Sequence, residues 1–402
     1  MTRIAALSAL GSPNFALFWS AQVISGFGDK ITFFALAFVT WELTRSALFT
    51  VFAVVISTVP YALFGFVGGA IADALGHRRA MVASDLIRVA AIGLVPVSLA
   101  LGAPLAVPYA LVFLAALCSA VFSPARMGIV PDLVPASRLG ASNSLVYASD
   151  RTVEIAGSLI AGVLVAVLGT AAFYVDAATF ALSAILLMRI DLPDPPARSL
   201  RPGTILAEAV DGVRFLTSNV YLRANTIFSL LAQLCIPVLN GLTPVLIFRE
   251  FARGPEELGV AEAALAAGAV LAGLALTPLF GRLRKGRLVI VGFAAYGLNL
   301  VAIAFAPTFE VSLIFFLIAG VTNVIFFVPN VTISQELAPP PLRARVFGAR
   351  MALLNLTWLP IVVATGLLAE GLDVRLLIGI AGAFTIVVAL GGTLSRSVRD
   401  VP

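Results

Sequence analysis

Two groups of ionisable side chains stand inside long apolar runs of this chain, where charge is expensive and by default marks a pathway or a coupling site. Asp29 lies midway along the first run, and Gln22, Ser25 and Asp29 fall at i, i+3 and i+7 on one helix face. A carboxyl withdrawn from water at that depth is suited to reversible protonation. The alternative is a structural ion pair with Lys30, near the same level. Asp150, Arg151 and Glu154 lie inside the fifth run. Arg151 and Glu154 are three apart and can pair, while Asp150 and Glu154 are four apart on one face, so one carboxylate is expected to lack a basic partner. The alternative is an internally neutralised pair that packs the bundle. Glu154 and Asp150 follow Asp29 as proton-coupling candidates. Asp176, near the outer end of the sixth run, reads as an interfacial cap or pair.

A further set of charges sits at the ends of the early runs. Gly68-Gly69-Ala70-Ile71-Ala72-Asp73-Ala74-Leu75-Gly76-His77-Arg78-Arg79 separates two apolar segments, followed by Asp85 and Arg88. Asp73 can accept hydrogen bonds at a helix end, and Gly76 permits a tight reversal. With Arg126 and Asp132 these residues are expected to cluster at one membrane face. Charges placed so can pair when that side is closed and part when it opens. The alternative is snorkelling to lipid headgroups.

The elements that must position these groups are set by composition. Of 402 residues, 60% are hydrophobic and 12% charged, against roughly 45–50% and ~25% in soluble domains. This is the composition of a polytopic membrane protein. Apolar runs long enough to cross a bilayer fall at about 15–42, 47–72, 80–101, 105–123, 139–167, 171–189, 222–247, 258–281, 287–306, 310–329, 343–369 and 373–394. An even number of spans puts both termini on one side. With cytoplasmic termini the inner segments collect most basic residues, among them Arg78, Arg79, Arg126, Arg138, Arg284, Lys285 and Arg287. The outer loops keep Arg45, Arg249, Arg253 and Arg375. The net charge of +5 follows from those basic loops and calls for no nucleic-acid partner. Cys118 and Cys235 both lie in apolar runs without metal-ligand or disulfide spacing.

The one long polar connection runs from 191 to 221. Pro193, Pro195, Pro196 and Pro202 break its start. Leu206, Ala209, Val210, Val213 and Leu216 then recur at helical spacing, as in a helix lying on the inner surface. The expected organisation is a six-helix bundle over 1–190, this linker over 191–221, and a second six-helix bundle over 222–402. The halves repeat: Phe122-Ser123-Pro124 opens a segment closed by Asp132 and Pro135, and Phe327-Val328-Pro329 opens one closed by Glu336 and Pro339. Parallel repeats place a substrate site between the bundles near the midplane.

The loop around Asp73 resembles the signature loop of the major facilitator superfamily. Gly69, Ile71, Ala72, Asp73, Gly76 and Arg78 fall on its pattern, with Ala74 in place of the usual Arg and His77 in place of Arg or Lys. Ser25-Gly26-Phe27-Gly28-Asp29, Ser84-Asp85-Leu86-Ile87-Arg88, Phe122-Ser123-Pro124-Ala125-Arg126 and Gln335-Glu336-Leu337-Ala338-Pro339 are similar to the branch of macrolide exporters, Tap-type multidrug pumps and the enterobactin exporter. The resemblance implies an all-α fold of twelve membrane helices in two bundles. It also implies a secondary transporter of the bacterial inner membrane, with alternating access, no cofactor and the proton gradient as energy source. The fifth-span antiporter motif keeps Gly157 and Gly162 but has Ser158 where the family carries Pro. Lysophospholipid transporters share the Gly-Asp of the first span and are the competing reading. A non-transporting receptor or scaffold would need no buried carboxylates, and no nucleophile–base pair, metal cluster or phosphate loop points to an enzyme. A cavity for a small amphipathic substrate would draw on polar and aromatic groups within the spans: Gln22, Ser25, Phe33, Asn225, Gln233, Asn240, Asn299, Asn323, Phe326, Asn355 and Trp358. The expected partners are that substrate, protons and membrane lipids, around a monomer.

Overall fold

A computed structural model describes residues 8–192, 213–280, 283–339 and 342–401. Among these the chain is helical nearly throughout, without a strand. The long helices are α1 (Pro13–Thr44), α2 (Ala47–Leu75), α3 (His77–Ala100), α4 (Ala106–Leu133), α5 (139–168), α6 (Ala172–Met188), α7 (Val220–Glu250), α8 (Pro255–Phe280), α9 (Lys285–Ala304), α10 (Phe309–Leu337), α11 (Arg343–Gly371) and α12 (Val374–Leu394). Gly169, at φ 54°, reverses the chain between α5 and α6, so the apolar stretch Leu139–Met188 crosses twice.

Local chemistry starts these helices. The Asn219 side chain accepts from Tyr221 N–H at 3.1 Å and Leu222 N–H at 3.0 Å to cap α7. Thr308 and Asp373 cap α10 and α12 in the same way. Two helices run further than the apolar pattern predicts. The fourth continues through Pro124 and Pro131 to Leu133, and the tenth through Pro329 to Leu337. Membrane helices tolerate proline where neighbours re-satisfy the freed carbonyls, so the repeated Pro segments belong to helix, not to loops. Large apolar side chains such as Leu274, Phe305, Leu390 and Leu394 are exposed, as lipid-facing surface should be. Leu206, Ala209, Val210, Gly281 and Arg282 lie outside the described residues. Val213 and Leu216 stand in a short helix, with Leu216 buried.

Contacts divide the chain into two compact units. One comprises Met1–Arg45, Ala53–Leu200 and Gly254–Gly259, the other Ser46–Phe52, Arg201–Arg253 and Val260–Pro402. In the first, α1 packs along α6, and α3 along α4 and α6. The second repeats the scheme, with α9 along α10 and α12 and α7 against α12. The glycines of the fifth-span motif seat the first turn of α8: a Cβ on Gly162 would lie 2.6 Å from the Pro255 carbonyl oxygen, and one on Gly259 2.5 Å from that of Ser158. Close backbone approach through small residues is how membrane helices pack.

Candidate functional site

The first unit holds its charges in two networks. In the deeper one, Arg88 of α3 is sealed from solvent. Its Nη2 donates to Asp85 Oδ1 one helical turn earlier. Nη1 reaches Asp29 Oδ1 of α1 at 3.5 Å and Ser119 Oγ of α4 at 3.3 Å. The other Asp85 oxygen accepts from Ser183 Oγ of α6 at 2.7 Å. Two rings sandwich the guanidinium, Phe122 at 4.6 Å and Phe180 at 4.1 Å, supplying the cation–π attraction of a dry site. Asp29 is half open, with 52% of its side chain accessible against 1% for Arg88.

The second network joins α1, α4 and α5. Arg126 clasps Asp150 with both terminal nitrogens, at 2.8 and 3.2 Å, and Gln22 Nε2 adds a 3.1 Å hydrogen bond to the same carboxylate. One turn along, Arg151 pairs with Glu154 at 2.5 Å and lies over the Tyr147 ring. Both carboxylates of the fifth span thus have a guanidinium, which corrects the expectation that one would lack a basic partner. Glu154 also sits on a π-helical turn, Val153–Gly157. Such turns occur mostly as single interruptions of α-helices, frequently at functional sites.

The charges expected at one membrane face are therefore divided. Asp85 and Arg88 belong to the interior with Asp29. At the helix ends, Gly76 takes φ 84° in the reversal, and His77 stands between two carboxylates, Asp73 Oδ1 at 3.4 Å and Asp132 Oδ2 at 3.9 Å. Gly128 makes room for that ring: a Cβ there would lie 2.4 Å from His77 Nε2. Arg78 Nη1 donates to the Ile190 carbonyl at 3.0 Å. Where the loop departs from the family pattern, its histidine bridges α2 and α4.

The cavity candidates also separate. Asn225 is buried and donates to Asn330 Oδ1 at 2.8 Å. Asn299 is buried and donates to the Phe315 carbonyl at 2.8 Å. Phe326 is buried and stacks on Phe293 at 4.2 Å. These three are engaged in contacts within their own unit. Ser25 and Gln22 are likewise buried. Phe33, Asn323 and Trp358 are partly exposed and Asn240 is exposed. The side chains of Gln233 and Asn355 lie outside the described residues.

Of two buried ionisable residues, one was misplaced by the sequence reading and the other escaped it. Asp176 is fully buried, not interfacial. Arg350 of α11 is also sealed. It donates to the Asn330 carbonyl at 3.0 Å, to Ser229 Oγ at 3.0 Å, and to Ser334 Oγ and Asn330 Oδ1. Among the described residues no carboxylate comes within ion-pair distance of it. An arginine set in an otherwise apolar span was the signal available for it.

The sequence pattern of the Major Facilitator Superfamily matches residues 18–359 of the chain. The chain is 30% identical over 339 residues to the multidrug efflux pump Tap of Mycolicibacterium fortuitum, covering 82% of each. It is 26% identical over 400 residues to macrolide efflux protein A of Streptococcus pyogenes, covering 96% of this chain and 97% of the relative. Among solved structures, the POT family transporter PepTSo superposes with a TM-score of 0.75 at 13% identity, over 95% of this chain and 97% of that one. At that identity the likeness speaks for the fold alone.

Proposed function

Because the chain belongs to the Major Facilitator Superfamily and is a multi-pass membrane transporter of small molecules, we propose that it exports hydrophobic or amphipathic compounds in exchange for protons. Placement in a bacterial inner membrane with both termini cytoplasmic agrees with the arginine asymmetry of its loops. Its relatives over most of the chain are a multidrug pump and a macrolide efflux protein. The observation that carries the coupling is the sealed Arg88 facing a half-open Asp29. A carboxylate in that position binds Arg88 when ionised and releases it when protonated, so protonation changes which partners hold α1 against α3. That is a charge switch on a bistable element, as alternating access requires. The pairs Arg126–Asp150 and Arg151–Glu154 and the His77 bridge serve as conformational contacts in this reading.

The test is transport in proteoliposomes of the full chain, with ethidium, a macrolide and a lysophospholipid measured in parallel, with and without an imposed pH gradient. Accumulation of ethidium or macrolide that collapses with the gradient is the expected result. Lysophospholipid movement indifferent to the gradient would favour a lipid transporter instead.

A further inference from the structure

Asp176 lies in α6, where α1 crosses it. Its side chain is fully buried, and among the described residues no lysine, arginine or histidine comes within ion-pair distance of it. Its partners are hydroxyls. Thr32 Oγ1 meets Oδ2. Thr179 Oγ1 lies 2.7 Å from the Asp176 carbonyl oxygen and 3.1 Å from Oδ1. A threonine hydroxyl has one hydrogen and two lone pairs. The shorter contact, to the backbone carbonyl, takes that hydrogen. Oδ1 then receives at most a share of that one hydrogen, so these hydroxyls offset little of the charge an ionised carboxylate would carry here.

The position of this carboxyl is set by α1. A Cβ on Gly28 would lie 2.0 Å from Asp176 Oδ1 and 2.1 Å from Thr179 Oγ1. The acid is therefore pressed against the α1 backbone one residue before Asp29. The charged groups that act on it are Asp29 on α1 and Arg88 on α3, and Arg88 in turn holds Asp85. Lys30 is turned toward α5, its Cγ 3.4 Å from where a Gly157 Cβ would be. The part of α5 that packs on α6, Ser158–Leu168, carries no titratable side chain. One guanidinium, Arg88, thus stands among three carboxyls, and Asp85 and Asp29 already engage it. A third ionised carboxyl, dry and without a cation, would carry the desolvation penalty of an unpaired charge.

We propose that Asp176 is a second proton-binding residue of the coupling site, sealed where Asp29 is open, and that it exchanges its proton with Asp29 during the transport cycle. The transfer is balanced: the proton leaves Asp176 and binds the Asp29 carboxylate, so the cluster keeps its charge, and Asp29 lets go of Arg88, which is then free to offset the charge left on Asp176. Asp29 exchanges protons with the surroundings, and Asp176 stores one. The inference rests on the proton-coupled reading for its role in transport. Its first half, a proton on Asp176, stands without it.

Two measurements test it on the full chain in lipid. Infrared spectra at neutral pH should contain the C=O stretching band of a buried protonated carboxyl, absent from Asp176→Asn and retained in Asp29→Asn. A band unchanged in Asp176→Asn overturns the proposal. If Asp176→Asn does not fold, Thr179→Val keeps the acid and removes a hydroxyl that contacts it, and the band should move to higher frequency; a band that stays in place overturns the proposal. In proteoliposomes Asp176→Asn should lower proton-driven ethidium accumulation at least tenfold while substrate counterflow persists. Wild-type accumulation in that variant would make Asp176 a static neutral side chain, and the exchange would be wrong. If wild-type transport itself ignores the pH gradient, the coupling reading fails, and the infrared band still decides whether Asp176 holds a proton.

Discussion

Arg88 and Asp29 face each other across α3 and α1 at 3.5 Å, and one is sealed while the other is half open. Because Asp85 and Ser119 also engage Arg88, the guanidinium stays partnered when Asp29 lets go. Asp29 can therefore be neutralised without leaving an orphaned buried cation. Asp29→Asn is expected to fold, to lose gradient-driven accumulation by at least tenfold, and to keep counterflow. The check is uptake of ethidium into everted proteoliposomes with and without a pH gradient. Should the variant still concentrate substrate with normal pH dependence, coupling passes through Asp150 or Glu154, each of which this structure ties to an arginine.

Gly28 offers a test of packing at the same crossing. A methyl there collides with the Asp176 carboxyl and the Thr179 hydroxyl, and neither is the far end of a flexible chain. Overpacking of that kind costs about 1–3 kcal/mol. Gly28→Ala should lower the unfolding midpoint in detergent by several degrees. Gly93→Ala, where the nearest atom to the new Cβ is that of Ala177 at 3.8 Å, should leave it unchanged. Equal behaviour of the two variants would show that α1 and α6 separate at low cost.

The spans were legible because twelve apolar runs and their loops follow from residue type alone, and most helix ends fall within a few residues of the pattern. The fourth and tenth were cut short because proline ends helices in water but not reliably in a bilayer. The charged residues were legible as a set but not as pairs. Spacing along one helix shows Arg151 with Glu154, whereas Arg126 with Asp150 and Arg88 with Asp29 are made between helices. For the same reason Asn225 and Phe326 looked like cavity lining: a polar or aromatic residue in a span does not disclose which neighbour its face meets. Asp176 was misplaced because its depth depends on Thr32 and Gly28 of α1, far away in sequence.

The His77 bridge predicts a phenotype for a residue that carries no charge. Gly128→Ala pushes the imidazole from its place between Asp73 and Asp132. Transport should fall severalfold, with expression and substrate binding kept, as for Asp73→Asn. His77→Ala, which removes the bridge outright, should match it. Transport rates of all three variants measured in one vesicle preparation decide the matter, since wild-type rates would reduce this loop to a topogenic run of charge.

Arg350 stands in the opposite condition to Arg88. It is equally sealed, and like Arg88 its Nε has no hydrogen-bond partner among the described residues, but carbonyl, amide and hydroxyl oxygens surround it in place of carboxylates. A buried ion loses several kcal/mol of hydration, and neutral acceptors return less of that than a counter-ion would. Asn330 Oδ1 keeps its donor from Asn225 if the guanidinium is removed. Arg350→Gln, which keeps an amide donor and drops the charge, is therefore expected to unfold at or above the wild-type midpoint. Arg350→Ala, which drops the donor and leaves a cavity as well, should unfold below it. Thermal unfolding of the three proteins in one detergent ranks them. If Gln destabilises as much as Ala, the hydrogen bonds to Asn330, Ser334 and Ser229 outweigh the lost hydration, and Arg350 is the keystone of α7, α10 and α11 rather than a strained cation among them.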